Sequence, residues 1–195
     1  KDLGEVPFLE ESLNSTNDLF EVNNIYSEKV LIINSQKKIF TDKNLFNFLY
    51  CHVICNFFPN ARVIHCIRNP LDNILSIYRT NFLNQSFSSS LNDITELYLY
   101  HLKLMNEYKN KFGSMIYSYD HDKVVQNPEE TIKNLLNWLE WEWSDKYLSP
   151  QESKRIVFTA SSSQVRKKIN SLSSGYWKKY EDLLKPVIEL LPRYD

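Results

Sequence analysis

The stretch Arg62 to Phe82, RVIHCIRNPLDNILSIYRTNF, constrains the fold more than any other part of the chain. Val63, Ile64, Cys66 and Ile67 make a nearly continuous apolar run, the pattern of a strand whose sheet is covered on both faces. Arg68 and Asn69 end the run. Pro70 suits the first turn of a helix, where its missing N–H is not needed. The spacing of Leu71, Ile74, Leu75 and Tyr78 then predicts a helix to about Phe82. A buried strand passing at once into a helix is the repeating unit of parallel α/β sheets.

The remaining segments extend this pattern. Residues 7–20 read as a short helix carrying Phe8, Leu9, Leu13 and Leu19. Residues 30–33 either end a helix or form a short strand. Residues 38–41 are a strand candidate, with Asp42 as N-cap of a strongly apolar helix over 45–58. A long helix is expected from Leu91 to Phe112, stopped by Gly113, and a second strand over 115–119. Asn127-Pro128 opens a further helix with Leu135, Leu136 and Leu139 turned inward, and Trp138, Trp141 and Trp143 are expected to close the core. Residues 176–191 read as a final amphipathic helix interrupted at Pro186. Strands alternate with helices and helix dominates, so the expected fold is a helix-rich α/β domain with a parallel sheet.

Composition narrows the functional classes. A chain of 195 residues suits one domain, and 43% hydrophobic residues supply a sizeable core. The net charge of −1 leaves no global field to recruit nucleic acid or a membrane surface, so any anion site must be local. Cys51, Cys55 and Cys66 lie in apolar segments and are expected as buried free thiols. Their odd number and the lack of a CxxC pair argue against a disulfide framework or a zinc site. No apolar run reaches the roughly 18–20 residues of a membrane span, and no signal peptide opens the chain, so a cytoplasmic location is the default expectation. Gly4, Gly113 and Gly175 are far apart and form no glycine-rich phosphate loop.

Arg68 stands at the carboxyl end of the predicted strand, the edge where ligands bind in open α/β sheets. The helix that follows favours anions at its N-terminus. Ser76 adds a hydroxyl farther along, four residues after Asp72 and on the same face. A guanidinium and a hydroxyl suit a phosphate group, with charge-assisted hydrogen bonds contributing about 1.5–3 kcal/mol each. Arg68 could equally cap a helix or pair with Asp72. His65, inside the strand, reads as a core histidine rather than a catalyst.

Strand, Arg68-Asn69-Pro70 and a helix bearing Ser76 resemble the 3′-phosphate-binding segment of sulfotransferases that use 3′-phosphoadenosine-5′-phosphosulfate (PAPS). The family pattern has Asp where this chain has Asn69. The likeness runs almost end to end and is greatest to the branch of tyrosylprotein sulfotransferases and bacterial sulfotransferases linked to tetratricopeptide repeats. FTDKNLFNFLY, from Phe40, is similar to that branch's Thr-Asp-Lys pattern, which implies that Lys43 stabilises charge on the phosphosulfate bridge. A lysine in a helix's first turn is unfavourable to the helix dipole, which also points to an anionic partner there. Gly4-Glu5 matches the segment bearing the proposed general base, which implies that role for Glu5. TASSSQVRKK, from Thr159, and SGYWKKY, from Ser174, resemble the segment that covers the nucleotide. The resemblance places Ser161 and Ser162 near it and makes Arg166, Lys167 and Lys178 phosphate partners. His121 stands where relatives carry Tyr, and could stack on adenine or be structural.

The resemblance implies a P-loop-NTPase-like parallel sheet flanked by helices, in one domain over residues 1–195 that is incomplete at its N-terminal end. The family's 5′-phosphosulfate loop, strand–Arg-Ser-Gly-Thr-Thr–helix, is expected just before Lys1 and is not in the sequence. A chain without it should bind PAPS poorly and catalyse little by itself. The implied activity is sulfuryl transfer from PAPS to an acceptor hydroxyl or amine, with no metal required. The acceptor could be a carbohydrate, a peptide tyrosine, a lipid or a small metabolite, and a homodimer is compatible with the sequence. The rival readings are a non-catalytic binding module on the same fold and a nucleotide kinase relative. The kinase needs a Walker-type glycine loop and magnesium ligands that the sequence does not offer.

Overall fold

The computed structural model describes residues 8–33, 39–80, 82, 85–152 and 167–192. Its described elements are helices α1 (Phe8–Asn14), α2 (Leu19–Ile33) and α3 (Cys51–Phe57), strand β1 (Val63–Ile67), helices α4 (Pro70–Thr80) and α5 (Leu91–Phe112), strand β2 (Ile116–Asp120), and helices α6 (His121–Gln126), α7 (Pro128–Leu139) and α8 (Glu181–Leu190). The two strands pair in parallel, with Val63 opposite Ile116 and Ile67 opposite Asp120. A parallel pair cannot be closed by a hairpin, so α4 and α5 form the crossover between its strands. The fold is therefore the expected helix-rich α/β arrangement with a small parallel sheet.

The long helix α5 organises the interior. Ile94, Tyr98, His101 and Met105 recur at intervals of four, three and four, which sets them on one helical face. Ile94 and Tyr98 join Ile74 and Leu75 of α4 and Leu184 and Val187 of α8 in one apolar cluster. Met105 joins Cys51, Cys55 and Ile116 in a second. Leu9, Val22 and Val53 tie α1, α2 and α3 into a third. The ends of α5 suit the helix: Ser90 Oγ accepts from the Asp93 N–H, and Lys109 and Lys111 lie in the negative last turn.

Several local expectations are corrected. No helix begins at Asp42; residues 41–44 are irregular, and a 3-10 turn at Asn47–Tyr50 leads into α3. Asp42 instead accepts from the Asn47 side-chain amide at 3.1 Å. Residues 39–41 are not a strand, and residues 30–33 end α2. α5 does end at Phe112 with Gly113 as its cap, as expected, but Gly113 is not left-handed; its φ is −48°, and a 3-10 turn carries the chain to Met115. Residues 176–180 form a 3-10 turn before α8, rather than the first turns of one helix. The tryptophans do not close the core. Trp138 packs beside Tyr117 with the Arg62 guanidinium over its ring, Trp141 is exposed, and Trp143 donates to Asp145. Cys51 and Cys55 are buried thiols, but Cys66 is exposed, because the sheet face it shares with Ile64 is only partly covered.

His65 is a core residue, as read from the sequence, and its partner is His101. Their Nε2 atoms lie 2.8 Å apart, one nitrogen donating its proton and the other accepting. Burial, and then the positive charge of Lys109 and the neighbouring His101, push His65 down to about 3. A histidine held neutral in the fold but free to protonate when unfolded favours the unfolded state as pH falls. Stability from this site should be fully present above pH 6.5 and decline down to about pH 3, with a slope of at most about 1.4 kcal/mol per pH unit per proton. Denaturant melts of the wild type and of His65→Asn across that window should show a shallower decline in the variant. Leu184 is fully buried, so Leu184→Ala should cost about 2–5 kcal/mol in the same melts.

Candidate active site at the exit of the sheet

Both strands end at one edge, and the residues leaving them meet there. A cavity of about 270 Å³ opens at that edge, lined by Ile67, Arg68 and Asn69 after β1 and by Asp120 and Asp122 at the end of β2, with Tyr98 of α5 behind them. Among the described lining residues, Arg68 supplies the positive charge. Its Nη2 donates to the Ser173 carbonyl. Its Nε is buried and has no hydrogen-bond partner. A buried guanidinium N–H without an acceptor is costly, and it belongs to the residue that brings positive charge to this cavity.

Asp120 and Asp122 oppose an anion, but both are already engaged. Asp120 caps α6, accepting from the backbone N–H groups of Asp122 and Lys123. Asp122 accepts from the Asn69 N–H at 2.8 Å and from the Ser174 hydroxyl at 2.8 Å. Burial pushes the Asp122 carboxyl up, but those two hydrogen bonds, with His121 and Arg68 nearby, outweigh it and hold its pKa below the usual value. Asp122 is thus an anion matched by two hydrogen-bond donors, Asn69 N–H and Ser174 Oγ–H, rather than one that depends on Arg68 alone.

The start of α4 differs from expectation. Asn69 Oδ1 accepts from the N–H groups of Leu71 and Asp72, so the side chain caps donors that could have met a ligand. Anion binding at this end therefore rests mainly on the guanidinium. The Asp expected at position 69 in the resemblance would cap in the same way. Arg68 does not use Asp72 as its recorded partner. The Asp72 carboxylate is buried and accepts from the backbone N–H groups of Gly175 and Trp177.

Other predicted site residues fall as follows. Ser76 is exposed on α4, one turn beyond Asp72. Lys43 lies in the irregular segment before the Asn47–Tyr50 turn, so the helix-dipole argument for an anionic partner does not apply to it. Its pKa is lowered by partial desolvation, and the Cys66 thiol opposes that when ionised. His121 stands at the start of α6, its buried Nδ1 without a hydrogen-bond partner and 3.8 Å from the Asp122 carboxylate. Lys167 and Lys178 are exposed. Glu5, Ser161, Ser162 and Arg166 lie outside the described residues. Among those residues no cluster of three or more metal-ligating side chains occurs, and no helix is long and apolar enough to cross a membrane.

Sequence reasoning gave no site role to Asp122 or Arg79. An acid two residues after a strand is an ordinary N-terminal helix residue, and its partners lie about fifty positions away on either side. Only Gly175 left a readable signal. It is one of three glycines in the chain and adopts a φ of +71° that other residues enter with strain.

Comparison with known proteins bears on the family and the fold. Residues 8–145 match the sulfotransferase family model, which covers more than half of the chain. An uncharacterized protein of Aquifex aeolicus (strain VF5) is 38% identical over 170 residues; the match covers 85% of this chain and 22% of that protein. The chain therefore spans about a fifth of the length of that relative. The sulfotransferase domain from the curacin biosynthetic pathway superposes with a TM-score of 0.62 over 88% of this chain and 70% of that domain, at 13% identity, a likeness of fold. The chain belongs to the sulfotransferase family.

Proposed function

We propose that this protein transfers a sulfuryl group from PAPS to an acceptor hydroxyl or amine. The observation that carries the reading is the Arg68 guanidinium at the exit of β1, with its Nε–H buried, unpartnered and beside a cavity. In a sulfotransferase-family chain this is the place for the ribose 3′-phosphate that distinguishes PAPS from a simple adenine nucleotide. Arg68 would grip that phosphate through two N–H groups, and Ser76 would add a hydroxyl from the next helix. The site can accept such a group because its two carboxylates are already satisfied by backbone and serine donors.

The chemistry needs few groups. The acceptor oxygen or nitrogen attacks sulfur in line, forming a new bond to sulfur as the bridging sulfur–oxygen bond breaks. The product 3′,5′-phosphoadenosine carries away the bonding pair and negative charge. Glu5 would take the acceptor's proton, and Lys43 would stabilise the charge that develops on the bridging oxygen.

Calorimetry on the protein as it is encoded tests the nucleotide assignment. Arg68→Ala should weaken 3′,5′-phosphoadenosine binding by about ten- to a hundredfold, the loss of one charge-assisted bond, and AMP binding by less than about threefold. Equal losses for both ligands would remove the 3′-phosphate from Arg68. Glu5→Gln should reduce turnover by about 10²-fold or more while leaving 3′,5′-phosphoadenosine affinity nearly unchanged. Unaltered turnover would take Glu5 out of the base role.

A further inference from the structure

Asp72 is buried to 2% exposure in the first turn of α4. A carboxylate removed from water needs donors at both oxygens. Its donors come from more than a hundred residues away. Gly175 N–H bonds one oxygen at 2.6 Å, and Trp177 N–H bonds the other at 2.8 Å.

These two bonds lie at the centre of a strap formed by residues 173–180. At one end Arg68 donates to the Ser173 carbonyl, and the Ser174 hydroxyl donates to Asp122. At the other, the Arg79 guanidinium lies over the rings of Tyr176 and Tyr180, at 5.1 and 5.6 Å from their centroids. Apolar packing does not fasten the leading end of the strap: Leu172 is 80% exposed, and Ser173 is exposed as well. Asp72, Ser76 and Arg79 follow one another by four and three residues, so they share one face of α4. The strap therefore runs along the side of the helix that carries Ser76. Gly175 permits the tight entry into the strap with its φ of +71°, and no atom lies within 4 Å of where a Cβ would stand.

We infer that Asp72 is a positioning residue for the nucleotide site, acting through the Gly175 and Trp177 amides to set the strap and, through the Ser173 carbonyl, the plane of the Arg68 guanidinium. The inference rests on the PAPS reading above. A guanidinium is a rigid planar fork, so an acceptor fixed at one Nη determines where the other N–H groups point. With Ser173 holding Nη2, Nε stays buried and unpartnered in a residue that lines the cavity. Without the Asp72 anchor the strap keeps the Ser174 bond to Asp122 and the packing of Tyr176, Trp177 and Tyr180 against the core, but it loses the two amide contacts on α4, and the Ser173 carbonyl holds the guanidinium less firmly in that orientation.

The test compares wild type, Asp72→Asn and Arg79→Ala by calorimetry with 3′,5′-phosphoadenosine and with AMP, alongside amide hydrogen exchange of residues 167–180. Asp72→Asn keeps the side chain's shape but places an amide NH₂ against a backbone donor. It should speed exchange at Gly175 and Trp177, lower 3′,5′-phosphoadenosine affinity about tenfold and leave AMP affinity within about twofold. Arg79→Ala loosens the exposed end of the same strap without touching the core. It should give the same pattern with a two- to fivefold loss, about the strength of an exposed cation–π contact, and it carries the test if Asp72→Asn fails to fold. Faster strap exchange with unchanged 3′,5′-phosphoadenosine affinity in either folded variant overturns the positioning role alone. A wild-type protein that binds AMP and 3′,5′-phosphoadenosine equally well overturns the PAPS reading, and the positioning role with it.

Discussion

Two carboxylates at the exit of the sheet, Asp72 and Asp122, hold residues 173–177 against the strand that carries Arg68. Each is at least partly withdrawn from water, and each is matched by donors from a distant part of the chain. A carboxylate in that position is an obligation as much as a contact, because losing its donors would leave a buried charge. The local geometry follows from meeting it. Ser174, Gly175 and Trp177 must come to α4 and α6, and in coming they bring the Ser173 carbonyl onto Arg68. The late segment of the chain thus completes a site begun more than a hundred residues earlier.

Behind that edge, α5 supplies the rigidity. One face of the helix meets α4 and α8 through Ile94 and Tyr98, and meets α3 and β2 through Met105. His101, between them, meets His65 of β1 at 2.8 Å. The two strands among the described residues would not be stable by their own pairing, and α5 packs behind them through Met105 and His101. Tyr98 of the same helix backs the cavity, so the element that stabilises the sheet also bounds the site.

The electrostatics at the sheet edge are local, as a chain with net charge −1 requires. Arg68 has carboxylates for neighbours, yet the acids are engaged by N–H and O–H donors while its Nε is not. That asymmetry leaves Arg68 with unused hydrogen-bonding capacity beside acids whose own needs are met. It also gives the site a dependence on its fold: were the strap to leave, Asp122 would lose Ser174 and would be free to take Arg68 for itself. The arrangement is intelligible from these contacts alone.

Much of this was legible in the amino-acid sequence. The apolar run at Val63–Ile67, the proline that opens α4, the full extent of α5 and the second strand all follow from local periodicity and turn chemistry, which act over a few residues. Arg68 could be singled out because its place at a strand's end is a local property. The start of the helix near Asp42, the burial of Cys66 and the tryptophan cluster were read differently from the structure, since each depends on what packs opposite. The sequence by itself determined the alternation of strand and helix and the position of Arg68 at the sheet's edge, because backbone hydrogen bonding and side-chain periodicity are short-range. Only the tertiary structure decided that Asp72 binds Gly175 and Trp177 rather than Arg68, and that His65 meets His101. Those contacts join residues 36 to 105 positions apart, and no local pattern records which distant partner satisfies a buried polar group.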